Sequence, residues 1–156
     1  MKNLFDIKHR VVVITGGTGV LGRAIALHLA EEGAKVVILG RKAEVGHALA
    51  ADIKAAGGEA LFLTTDVTDR ARLEQNLSDI LAAYGRIDAL LNAAGGNMPG
   101  ATIAPTGTIF DLKTEEFQRV LELNLTGTVL PTQVFLRPMV EQKRGAIVNF
   151  SSMAAF

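Results

Sequence analysis

The sequence predicts an α/β fold, a doubly wound parallel sheet with helices on both faces. Three observations carry that expectation. Short apolar runs rich in β-branched residues recur along the chain, nearly continuous rather than alternating, as strands buried on both faces require. Helix-length stretches separate them through short links. The first run passes directly into a glycine-rich turn, Thr15-Gly16-Gly17-Thr18-Gly19-Val20-Leu21-Gly22.

The expected strands are Val11–Ile14, Lys35–Leu39, Glu59–Thr64, Ala89–Asn92 and Ala146–Phe150. The expected helices are Val20–Glu32, Ala43–Ala56, Asp69–Tyr84 and Thr114–Gln142. In the first helix Leu21, Ala24, Ile25, His28 and Leu29 share a face, and Gly33 follows as a C-terminal stop. Asp69 suits the N-cap of the third helix. The stretch from Gly95 to Lys113 holds Gly96, Asn97, Pro99, Gly100, Pro105 and Gly107, and a loop of that length in a small domain points to function or mobility. In the long last helix, Pro131 would clash with the carbonyl of Gly127, so a kink is expected there.

Composition bounds the function. The 156 residues make one domain's worth of chain, 49% hydrophobic. Lys+Arg 16 against Asp+Glu 16 leaves no net charge and argues against a DNA or RNA partner. Without cysteine there is no disulfide, thiol nucleophile or thiolate metal site. His9, His28 and His47 are dispersed and form no metal-ligand pattern. The start, Met1-Lys2-Asn3-Leu4-Phe5-Asp6, does not read as a signal peptide, and no apolar run reaches the roughly 20 residues of a membrane span. A soluble cytoplasmic protein is the expectation.

A turn that leaves a strand and enters a helix sets unpaired backbone N–H groups at the positive end of the helix dipole, a geometry that binds pyrophosphate. Glycine is required where any Cβ would block the approach of the phosphates. The alternative is an ordinary glycine-rich strand–helix link. The second strand ends in Leu39-Gly40-Arg41-Lys42. A carboxylate there would bond the ribose hydroxyls of NAD and repel a 2′-phosphate. Gly40 leaves room instead, and Arg41 offers a guanidinium fork for phosphate, so NADP is favoured over NAD. Arg41 and Lys42 also fit the solvated start of the next helix.

Asp66-Val67, Asn92-Ala93-Ala94-Gly95, Asn124 and Ser152 join the glycine turn in a pattern that resembles the short-chain dehydrogenase/reductase family over nearly the whole chain. The resemblance implies a Rossmann sheet of strand order 3-2-1-4-5, with residues 1–156 as the N-terminal part of a single dinucleotide-binding domain and the C-terminal strands absent. It implies cofactor contacts from Thr15, Gly16, Thr18, Gly19, Val20, Leu21 and Gly22 in the turn, and from Gly40 and Arg41 beyond it. Asp66 would hold the adenine amino group, and the Val67 backbone would meet the ring. Asn92, Ala93, Ala94 and Gly95 would line the cleft and brace the sheet, with Thr15 tied to them. Asn124 would carry a water of the proton relay on its backbone, and Ser152 would polarise the substrate carbonyl.

Two departures stand out. The commoner family spelling is TGxxxGxG, whereas Val20 stands here where a glycine is usual. That spacing resembles the extended branch of the family, while the Asn-Ala-Ala-Gly and Ser-Ser segments fit the shorter branch. The family's Tyr-x-x-x-Lys pair would lie past Phe156, and Tyr84, before Gly85, reads as a structural aromatic. In the family mechanism tyrosine gives the proton, lysine lowers its pKa, serine polarises the carbonyl and the nicotinamide gives hydride. The 156 residues alone are therefore expected to be inactive, and a non-catalytic dinucleotide-binding sensor or scaffold is the rival reading. The loop from Gly95 to Thr102 resembles that of members acting on sugar acids, the D-mannonate/fructuronate oxidoreductase type, so a small-molecule secondary alcohol or ketone is the implied substrate.

By residue type alone Asn124 fits a kink or a water contact, Ser152 fits a turn, and Glu115 and Glu116 fit the first turn of a helix. The last helix is apolar around most of its circumference, from Phe117 through Leu121, Leu125 and Val129 to Val140. One side can meet the sheet and the other a second subunit, which predicts a homo-oligomer, dimer or tetramer; cover from further chain is the alternative.

Overall fold

A computed structural model describes residues 6–151. Five parallel strands form one sheet in the order β3-β2-β1-β4-β5, as expected. They are β1 (Val11–Thr15), β2 (Lys35–Gly40), β3 (Glu59–Thr64), β4 (Ala89–Asn92) and β5 (Ala146–Asn149). The helices are α1 (Val20–Glu31), α2 (Ala43–Ala55), α3 (Arg70–Tyr84), α4 (Thr114–Leu121) and α5 (Gly127–Glu141).

Side-chain alternation explains the continuous apolar runs. Val12, Ile14, Val36 and Ile38 point to one face and pack with Ala26, Ala30, Leu49 and Ile53. Val11, Val13, Val37 and Leu39 point to the other and pack with Leu73, Ile80, Val134 and Phe135. β1 and β2 therefore contribute to two cores, which leaves little room for polar residues along their length. The register Thr15↔Leu39 and Thr15↔Asn92 brings the C-terminal ends of β1, β2 and β4 level with one another. That edge is where an open α/β sheet presents its ligand site.

Strand and helix ends shift by a residue from expectation. Thr15 and Gly40 belong to their strands, and β5 stops at Asn149, although the Phe150 amide still donates to the Asn92 carbonyl. Asp69 caps α3, its carboxylate accepting from the Arg72 amide at 3.0 Å. Gly33, at φ 84°, ends the turn after α1.

Two expectations are corrected. The inner face of α1 is centred on Gly22, Ala26 and Ala30; of the expected stripe only Ile25 and Leu29 pack, half-buried, against the core, and Leu21 is 67% exposed. Small residues win that face because the helix start lies directly against the backbone of the glycine turn, where Gly22 meets Gly16. The long last helix is broken upstream of Pro131, by a π-helical segment at Glu122–Thr126. α5 runs on through both Pro131 and Pro138. Pro131 sits in the first turns of α5, so the lost N–H falls where the helix has just restarted.

Tyr84 is structural, as expected. Burial and the charge of Glu59 raise its pKa, and Lys35 Nζ sits 5.4 Å from its ring centre.

Candidate functional site

A cleft opens at the C-terminal edge of the sheet. Gly16, Thr18 and Gly19 line it from the turn, and Gly40, Arg41 and Lys42 from the end of β2. Thr65, Asp66 and Val67 follow β3, and Ala93, Ala94, Gly95 and Leu123 close the opposite side.

The turn is built into the sheet from two directions. Its Gly17 amide donates to the Leu39 carbonyl at 3.0 Å, tying it to β2. Thr15, fully buried, accepts from the amides of Ala93 and Ala94 through its hydroxyl oxygen, each at 3.1 Å. Gly16 stands at φ 65°, and a Cβ there would come within 2.7 Å of the Ala93 carbonyl oxygen. The turn and the segment after β4 thus touch backbone to backbone, and only glycine permits it. Gly19 is the N-cap of α1 without any side-chain hydrogen bond. The first-turn amides of α1 have no carbonyl within their own helix to bond and stay available to an anion.

Val20 and Leu21, at the first positions of α1, are 90% and 67% exposed and do not line the cleft. Their side chains point away while their backbone carries the free amides. Thr15, Gly22 and Asn92 support the walls from behind rather than lining them. Asn92 is buried, its amide nitrogen donating at 2.9 Å to both the Thr132 hydroxyl and Asn149 Oδ1, which ties β4 to α5 and β5.

Electrostatics divide the cleft. Arg41 and Lys42 are exposed cations at one rim. Asp66 accepts at 3.0 Å from the Thr68 amide and at 2.7 Å from the Thr68 hydroxyl. Those bonds, helped by the charge of Arg41 and outweighing slight burial, hold its carboxyl below the usual range. The ionised carboxylate is thus available as an acceptor near Arg41.

Asn124 lies inside the π-helical segment, where its side chain clamps the loop after β4. Its Nδ2 donates to the Gly96 carbonyl at 2.7 Å, and its Oδ1 accepts from the Gly96 amide at 3.1 Å. A third bond runs from Nδ2 to the Val120 carbonyl at 2.8 Å, so the amide is locked in orientation. Its own carbonyl accepts the Thr128 hydroxyl at 2.9 Å. Asn124 does not line the cleft, but Leu123 beside it does. Glu116 acts in the same way further along, its Oε2 accepting from the Gly100 amide at 2.6 Å while Oε1 lies 3.6 Å from Lys113 Nζ. Its role exceeds the helix-start carboxylate that the sequence suggested. Ser152 lies outside the described residues.

Lys42, Thr65 and Leu123 join the lining without having been singled out as site residues. Lys42 and Thr65 stand next to positions that were, just beyond the ends of β2 and β3. Leu123 carries no type-specific signal: an apolar residue in an apolar helix reads as core. Among the described residues no group of acidic or histidine side chains could hold a metal ion.

Comparison with known proteins gives this architecture its relatives. Residues 10–156 match the short chain dehydrogenase family. An uncharacterized oxidoreductase of Bacillus subtilis (strain 168), UxuB, is 43% identical over 97% of this chain and 57% of its own length. A provisionally named D-mannonate oxidoreductase from Haemophilus influenza, crystallised with bound NAD, superposes with a TM-score of 0.89 at 33% identity, covering 97% of this chain and 57% of that one. A metagenomic short-chain oxidoreductase in complex with NADP superposes with a TM-score of 0.83 at 33% identity, over 95% of this chain and 64% of that one. The chain therefore spans little more than half the length of such relatives, and it belongs to the short-chain dehydrogenase/reductase family.

Proposed function

We propose that this chain is the dinucleotide-binding part of an NADP(H)-dependent oxidoreductase that interconverts a secondary alcohol and its ketone. One observation carries the reading: the first-turn amides of α1, uncapped by any side chain, adjoin a cleft rimmed by Arg41 and Lys42, with no carboxylate at Gly40. The donor set suits a pyrophosphate in the middle and a phosphorylated ribose at one end. Thr18, Gly19 and the amides of Val20, Leu21 and Gly22 would hold the phosphates, with Gly16 keeping the path clear. Asp66 and Val67 would receive the adenine, and Ala93, Ala94 and Gly95 would carry the other wall, braced by Thr15 and Asn92.

When bound, the nicotinamide supplies or accepts the hydride. The chain's own part is positioning. Asn124 fixes the loop that starts at Gly95, and its carbonyl keeps a second lone pair for a water beside the Thr128 bond. Ser152 would donate to the substrate carbonyl. A proton donor equivalent to Tyr-x-x-x-Lys is not in the 156 residues, whose one tyrosine is followed four positions later by Asp88. We accordingly propose that residues 1–156 are the N-terminal part of one domain and turn over no substrate by themselves. A sugar acid is the proposed substrate class, on the Gly95–Thr102 loop and the provisional name of the Haemophilus relative. The other partners proposed are further copies of this chain, with no nucleic acid and no membrane, in the cytoplasm. The balanced charge and the absence of a long apolar helix among the described residues support that.

A non-catalytic dinucleotide-binding module is the second reading, favoured by the structural setting of Tyr84, half-buried against the core. Both readings require the cofactor. Titrating NADPH and NADH separately tests the choice. NADPH is expected to bind more tightly, and Arg41→Ala to cost NADPH alone on the order of 1–3 kcal/mol. Equal affinities, or an unaffected Arg41→Ala, would overturn the NADP assignment.

A further inference from the structure

Position 40 is closed to any side chain by a residue on a different element. A Cβ built on Gly40 falls 2.6 Å from Thr18 Oγ1, 2.9 Å from Thr18 Cγ2 and 3.3 Å from Thr18 Cβ. Neither backbone is free to give way. The Gly17 amide is bonded to the Leu39 carbonyl at 3.0 Å, one residue before each member of the pair. On the far side, the Thr65 amide is bonded to the Gly40 carbonyl at 3.0 Å. Relief would have to come from the Thr18 side chain. That side chain is β-branched and stiff, and it already lines the cleft, so rotation would carry it into the space a ligand needs.

We propose that Thr18 and Gly40 form a coupled specificity pair, in which Thr18 excludes a ribose-binding carboxylate from the end of β2 and thereby sets which dinucleotide the cleft accepts. This rests on the reading that a nicotinamide dinucleotide occupies the cleft. With a side chain at position 40 excluded, the groups left to meet the ribose end are the Thr18 hydroxyl and the cations of Arg41 and Lys42. All three can donate hydrogen bonds, which suits a phosphate. Thr18 is thus part of the ribose-end selection and not only of the phosphate turn. The pairing also means that no substitution at position 40 alone can convert the site to a carboxylate-based one.

The test is a cycle of variants read by cofactor titration and thermal melting. Gly40→Ala is expected to weaken NADPH and NADH together by at least about tenfold and to lower the melting temperature, because both suffer from a displaced Thr18. Thr18→Ala/Gly40→Ala should recover most of both, since only the 3.3 Å contact remains to be relaxed. Gly40→Asp alone should bind neither cofactor well. Thr18→Ala/Gly40→Asp should bind NADH and shift the preference towards it by at least about tenfold relative to wild type. Wild-type behaviour of Gly40→Ala, or a double variant no better than the single one, would overturn the coupling. Should Gly40→Ala fail to fold, folding of the double variant supports the coupling and its failure to fold overturns it. A wild type that prefers NADH overturns the NADP reading while the cycle still decides the coupling. A wild type that binds neither cofactor overturns both.

Discussion

At the scale of single residues, the structure depends on polar groups buried at strand ends. Asp88 is one of them, 8% exposed, and joins β1 to the start of β4 at the edge opposite the cleft. Burial pushes its pKa up, but the Val11 amide, the bond and charge of Arg86 and the charge of Arg10 together bring it below the ordinary value. A folded-state pKa below the unfolded one, about 3.9, stabilises the protein above that pH and is lost as pH falls through the folded value. Asp88→Asn is therefore expected to cost on the order of 1–3 kcal/mol near neutral pH. The gap to wild type should narrow below about pH 4. Urea melts across that range check it; a gap that stays constant into acid would contradict the assignment. Residues of this kind are only partly legible in sequence. Thr15 and Asn92 stood out through the family resemblance, which ties them together beside the cofactor cleft. Thr65 and Glu116 did not, since their partners, the Asn76 amide and the Gly100 backbone, lie 11 and 16 positions away and carry no local signature.

At the scale of elements, the strands were the most legible part. Burial on both faces forces unbroken apolar runs, and the expected bounds of β3 and β4 match the observed ones. Helix faces were harder, because α1 meets the sheet through glycine and alanine, which large-aliphatic periodicity does not register. The π-helical segment at Glu122–Thr126 was invisible: nothing in Glu-Leu-Asn-Leu-Thr distinguishes it from an α-turn interrupted by one asparagine. The asparagine supplies the reason after the fact. Its clamp on Gly96 replaces local helix regularity with a contact to the loop after β4. Asn124→Ala should cost on the order of 1–3 kcal/mol and speed amide exchange at Gly96 selectively. Unchanged exchange at Gly96 would mean that the loop is held by other contacts.

At the scale of the whole molecule, one apolar stripe remains exposed. Phe117, Leu121, Leu125 and Val129 recur every four residues along α4, the π-segment and the start of α5, each at least 41% exposed, and Val140 extends the line at 64%. The stripe supports the proposal that the protein associates with copies of itself, because exposed apolar surface of this extent favours burial. Leu125→Lys should shift light-scattering mass towards the monomer at equal concentration; a wild type that is monomeric at all concentrations would contradict the proposal. The catalytic expectation sits at this scale too. With sugar acids and secondary alcohols as substrates, the 156-residue chain should show no turnover above background, and robust turnover would show that a Tyr-x-x-x-Lys pair is not needed.

The central claim is that a dinucleotide lies across the glycine turn, and the 16.5 kDa chain suits a direct test by amide NMR. Adding NADPH should move the backbone amide signals of Thr18 to Gly22, of Arg41 and Asp66, and of Ala93 to Gly95, while those of α3 stay in place. Saturable shifts confined to other elements, or no shifts at all, would contradict the account.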